Sequence, residues 1–73
     1  MTTFIGVFGS HDTLSDRYQP ISAATEAAAA EFMDQAHGKK YYRIYTVAEF
    51  IQERKAEKFG DIRPLPWIGE GYS

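Results

Sequence analysis

Hydrophobic and polar positions change period several times along this chain, and each change marks an element. Thr2-Thr-Phe-Ile-Gly-Val-Phe8 is β-branched or aromatic almost throughout, with Phe4, Gly6 and Phe8 on one side and Ile5 and Val7 on the other. A run that is apolar on both faces predicts a central strand, and Gly6 leaves room for a close neighbour. Gly9 to Asp16 is polar and reads as a loop, with Leu14 its one large apolar residue. Arg17-Tyr-Gln-Pro-Ile-Ser-Ala23 predicts a second strand, antiparallel to the first. Pro20 has no N–H to donate, which predicts an edge position or a bulge there.

From Ser22 to Ala36 the period lengthens to that of a helix, rich in alanine and free of Gly and Pro. Thr25 is placed to cap its N-terminus and Gly38 to end it. Ala29, Phe32, Met33 and Ala36 then share one face, while Glu26, Asp34 and Gln35 share the other. After the turn His37-Gly-Lys-Lys40, the alternation of Tyr41-Tyr-Arg-Ile-Tyr-Thr-Val47 predicts a third strand. Ile44 and Tyr42 mark its core side, which leaves Tyr41, Arg43 and Tyr45 in a row on the other. Thr46-Val-Ala-Glu49 has the spacing of a capping box and opens a second, shorter helix from Val47 to about Lys58. Val47, Phe50 and Ile51 form its apolar turn, and Gly60 stops it.

From Asp61 onward no period survives, and Pro64 and Pro66 favour extended backbone. Trp67, Ile68 and Tyr72 are large apolar groups in this segment. It either wraps back over the open sheet face or stays mobile until it orders on a partner. The elements together predict a small α+β domain over residues 1–59: a three-stranded sheet, one packed alanine-rich helix and a second shorter helix. Residues 60–73 follow as an extended tail. The connection from the second strand through the helix to the third is long enough for a crossover.

Length and composition narrow the functional classes. With 73 residues there is room for one small core, and without cysteine there is neither a disulfide framework nor a Cys-based zinc site. No apolar run approaches the ~20 residues that span a bilayer, and the start lacks the basic region of a signal peptide, so a cytoplasmic protein is expected. The net charge of −2 does not mark a general nucleic-acid binder. Acidic residues dominate up to Gly38, and the remainder is slightly basic through Lys39, Lys40, Arg43, Arg54, Lys55, Lys58 and Arg63.

Candidate chemistry is sparse. Ser10, His11 and Asp12 are the residue types of a hydrolase triad, but three consecutive residues cannot form its chain of hydrogen bonds. Gly9-Ser10 lacks the rest of a phosphate loop. His11 and His37 have no metal-ligand spacing. No catalytic residue, metal or cofactor is expected, and the reading is a non-enzymatic protein that binds a macromolecule. Trp, Tyr and Arg are the residue types most enriched in interface hot spots. Tyr41, Arg43 and Tyr45 on the third strand, with Arg63, Trp67 and Ile68 in the tail, are the candidate partner-binding residues.

Three stretches carry a resemblance: Phe4-Ile5-Gly6-Val7-Phe8, the strand-to-helix passage Ile21-Ser22-Ala23-Ala24-Thr25-Glu26, and the aromatic strand running into Thr46-Val47-Ala48-Glu49-Phe50. In length and organisation the chain resembles small bacteriophage-encoded regulators that bind bacterial RNA polymerase. That resemblance implies a host-takeover protein of the bacterial cytoplasm. It would contact the β and β′ subunits, displace sigma factor, inhibit transcription initiation and promote antitermination. It is a resemblance of pattern, with no diagnostic motif, and no residue role carries over from it. The same pattern fits an anti-CRISPR protein or another inhibitor of a host machine. The aromatic row beside Lys39, Lys40 and Arg43 also fits a single-stranded nucleic-acid binder.

Overall fold

A computed structural model describes residues 2–9, 13–38, 42–56 and 61–71. The expectations for Ser10, His11 and Asp12, for Lys39, Lys40 and Tyr41, for the helix end at Lys58 and Gly60, and for Tyr72 lie outside the described residues.

The fold is a small α+β domain, with a mixed sheet between two helices. In chain order the elements are β1 (Thr2–Phe8), β2 (Arg17–Ala23), α1 (Glu26–His37), β3 (Tyr42–Thr46), α2 (Val47–Lys55), β4 (Arg63–Pro64) and β5 (Ile68–Gly69). The strand order is β3-β1-β2-β4, with β5 also paired to β2. β1 is antiparallel to both neighbours, so β2 and β3 run parallel with β1 between them and α1 as the crossover. The register stacks Tyr45, Ile5 and Pro20 in one row, and Ile44, Gly6 and Gln19 in the next.

The sheet has five strands rather than three. The additional two come from the segment expected as an extended tail, which returns along β2 in parallel as two short pieces. Ladder bonds run from Arg63 N–H to Asp16 O, Leu65 N–H to Tyr18 O and Glu70 N–H to Ser22 O, at 2.8–3.0 Å. Even-numbered carbonyls of β2 therefore face this outer edge, and so does the position where Pro20 lacks an N–H. β2 is thus an inner strand, so of the two expectations from Pro20, an edge or a bulge, the edge does not hold. Its proline coincides with the gap between β4 and β5, where no ladder donor is needed. Gly69 sits at φ +110°, and a Cβ there would lie 2.1 Å from Ser22 O, so only glycine lets β5 approach this closely.

Two apolar cores result, one on each sheet face. On the first, Phe4, Phe8, Ile21 and Ala23 pack under Ala29 and Met33 of α1, with Phe32, Ile44, Leu65 and Ile68 around them. A Cβ on Gly6 would lie 2.6 Å from Met33 Cε, so the missing side chain is the seat of Met33. Thr25 caps α1, its Oγ accepting from Ala28 N–H at 3.1 Å, and Gly38 N–H closes the other end on Asp34 O. The buried stripe of α1 steps by four, Ala29 to Met33 to half-buried His37. Ala36, expected on this face, is exposed. On the second face, Ile5, Val7, Phe50 and Ile62 form a smaller cluster, flanked by Tyr18 and Tyr45. α2 lies over this face, its capping box closed in both directions: Glu49 N–H donates to Thr46 Oγ, and Thr46 N–H donates to the Glu49 carboxylate.

Candidate functional site

α2 has nine residues and lies over β1 and β3, with Phe50 reaching across to Tyr18 of β2 at a ring separation of 4.8 Å. The β2 side of the same face is left without a helix, and a groove of about 500 Å³ opens there. Its floor is Thr3, Ile5, Tyr18 and Pro20. One wall is Val47, Phe50, Ile51 and Arg54, and the other is Pro64 and Trp67. Val47, Ile51 and Arg54 stand at i, i+4 and i+7, one stripe of a helix.

Val47, Ile51 and Trp67 are 39–46% exposed, and no other described large hydrophobic is exposed. All three line this groove. Scattered apolar residues on a surface are ordinary, whereas a grouped set marks a contact site. Phe50 alone of the α2 apolar turn is buried, because the helix meets the sheet along a single line.

Arg54 is the one charged residue lining the groove among the described residues, and it also lines a polar recess of about 320 Å³ with Asp61, Ile62 and Arg63. Arg54 belongs to the last turn of α2, where the helix dipole favours a cation. Among the described residues, neither Arg54 nor Arg63 forms an ion pair with a carboxylate. The groove is thus apolar along its length and cationic at one end.

The sequence-predicted residues separate. Trp67 walls the groove, and Arg63 lines the recess beside it. Tyr45 is half-buried against the core beneath α2. Arg43 is exposed on the same sheet face, opposite Val7 in the register, but does not line the groove. Ile68 pairs with Ile21 and packs on the α1 side, away from Trp67. Tyr41 is outside the described residues. Val47, Ile51 and Arg54 were not among the candidates. Their signal was an apolar turn wider than one docking residue needs, continued by a cation one turn on.

Two polar groupings lie on the other face. The buried Gln19 amide donates to Pro20 O at 3.1 Å and to Pro66 O at 2.5 Å, and its oxygen pairs with His37 Nε2 at 2.8 Å. The His37 ring stands edge-on to Phe8, with centroids 4.9 Å apart. Tyr42 OH donates to Ala30 O and to the Asp34 carboxylate at 3.0–3.1 Å, which ties β3 to α1. Burial, then the hydrogen bond to Asp34, pushes the Tyr42 phenol above its ordinary value. On α2, the Thr46 backbone N–H, then its side chain, holds the Glu49 carboxyl below its ordinary value. Among the described residues no group of three or more His, Cys, Asp or Glu comes together as a metal would need.

Fold and site together define a small α+β domain with an apolar groove, cationic at one end, on one face of its sheet. Compared with known proteins, the chain matches no family model, no curated protein and no solved structure. No helix among the described residues is long and apolar enough to cross a membrane.

Proposed function

We propose that this chain is a non-enzymatic protein that occupies a surface of a larger protein through the groove between α2 and Trp67. The observation that carries this reading is the grouping of Val47, Ile51 and Trp67, the exposed large hydrophobics among the described residues, around one concavity. An aromatic and aliphatic patch with an arginine at its margin has the composition of an interface hot spot. A nucleic-acid strand is the poorer occupant. Its backbone needs a succession of cations along the groove, and among the described residues the lining offers Arg54 alone.

The larger protein, on the resemblance to phage-encoded regulators, is bacterial RNA polymerase. The chain acts by contact with the β and β′ subunits, displacing sigma factor in the host cytoplasm, inhibiting initiation and favouring antitermination. The test uses purified core polymerase, sigma factor and a promoter template. The expected result is a complex that co-migrates on gel filtration, lacks sigma and initiates poorly. Undisturbed sigma binding with no co-migration would remove the polymerase as the target. An effector complex of a host defence system is then the next protein to test.

A further inference from the structure

We infer that the groove takes a peptide segment of the partner whose apolar side chains lie between α2 and Trp67 and whose carboxylate meets Arg54 and Arg63. The inference rests on the reading of the groove as a protein-docking surface and specifies what that surface selects. Charge complementarity carries it. The groove is apolar from Thr3 and Pro20 to Ile51, and at Arg54 it meets the recess that contains Arg63. Among the described residues, two guanidinium groups line that recess with one carboxylate, Asp61, and no ion pair neutralises either arginine. The chain as a whole carries a net charge of −2, so this positive end is local and not part of a general basic surface. An arginine fork holds a carboxylate through paired, charge-assisted hydrogen bonds, which fixes the direction in which a bound segment lies. A row of phosphates would leave all but its end unmatched. A purely apolar segment would engage neither guanidinium group.

Trp67 is the only tryptophan in the chain and stands on the groove wall, so its emission reports occupancy by a tryptophan-free peptide. The experiment selects tryptophan-free random peptides of about twelve residues on the immobilised full chain. Synthetic copies of the selected peptides are then titrated against Trp67 emission. The expected peptides share apolar positions and an Asp or Glu at constant spacing, and they shift the emission to the blue. Arg54→Glu and Arg63→Glu should each weaken them about tenfold or more. The two exchanges lie on different elements, and circular dichroism melts identify a variant that fails to fold, leaving the other to make the comparison. Peptides that shift Trp67 but show no acidic preference would overturn the inference while leaving the docking surface in place. Selected peptides that leave Trp67 emission unchanged, or no selected peptides at all, would overturn both.

Discussion

The Gln19 amide ties β2 to α1 and to the C-terminal segment through one side chain. Its partners His37 and Pro66 lie 18 and 47 residues away, on α1 and in the C-terminal segment. Gln19 is 2% exposed, so every bond it makes replaces one to water. It fills the place where Pro20 withholds a ladder donor and β4 and β5 part, and its amide donates to the Pro66 carbonyl within that gap. Gln19→Leu keeps the volume and removes the part-buried bonds to the Pro66 carbonyl and the His37 ring nitrogen. Each hydrogen bond lost in this way costs about 0.5–1.5 kcal/mol, so the thermal midpoint should fall by several degrees. An unchanged midpoint would show that water takes over these bonds. The face on which Gln19 sits was readable from its alternation with Ile21. Its partners were not, because they depend on a return of the chain that no local pattern encodes.

At the scale of elements, local chemistry and long-range pairing divide the legible from the illegible. β1 and β2, the Thr25 cap and the Thr46–Glu49 capping box are written in adjacent residues, and the structure places them where the pattern does. β4 and β5 have two residues each, too short for an alternation to show, and they exist only because β2 offers them an edge. The same edge explains why Pro20 misdirected the strand order. The capping box has a pH signature. Its carboxylate is held below the ordinary value in the folded chain, so its stabilisation is complete above the unfolded carboxylate range. It disappears as the pH falls through the depressed value. The difference in thermal midpoint between the parent and Glu49→Gln should therefore narrow on acidification from neutral pH. A difference that stays constant over this range would show that the charge of Glu49 contributes nothing to the cap. The C-terminal segment carries a second prediction. Ile62 is 4% exposed, and Ile68 packs under α1. Burying the Ile62 side chain contributes about 1.5–3 kcal/mol, and half-buried Ile68 adds to it, a large share of the total for a domain this small. Removal of the residues after Gly60 should therefore abolish cooperative melting. A truncated chain that melts sharply near the parent would contradict the five-stranded account of the sheet.

At the scale of the whole molecule, the two sheet faces differ in how fully they are covered. α1 and the returning C-terminal segment close the first face, where Met33 and Ile21 reach zero exposure. α2 closes only part of the second, and the chain has no further described element to lay beside it. The candidate interface therefore follows from a mismatch between one short helix and a sheet widened by β4. The sequence could not show that mismatch while the sheet was read as three-stranded. Arg63 and Trp67 were recognised by residue type. The pattern of Ile51 and Arg54 stood in the sequence, but it took β4 and Trp67 opposite them to make it a groove wall. The measurement closest to the central claim compares Ile51→Glu on the groove wall with Ala27→Glu, exposed on α1 over the opposite face. Each variant is melted and then titrated against core RNA polymerase. Both should melt close to the parent, since both positions are open to solvent. Ile51→Glu should weaken binding by about thirtyfold or more, the loss expected at a hot spot, and Ala27→Glu should bind like the parent. Equal binding by Ile51→Glu and the parent, with the fold intact, would contradict the assignment of the groove as the docking surface.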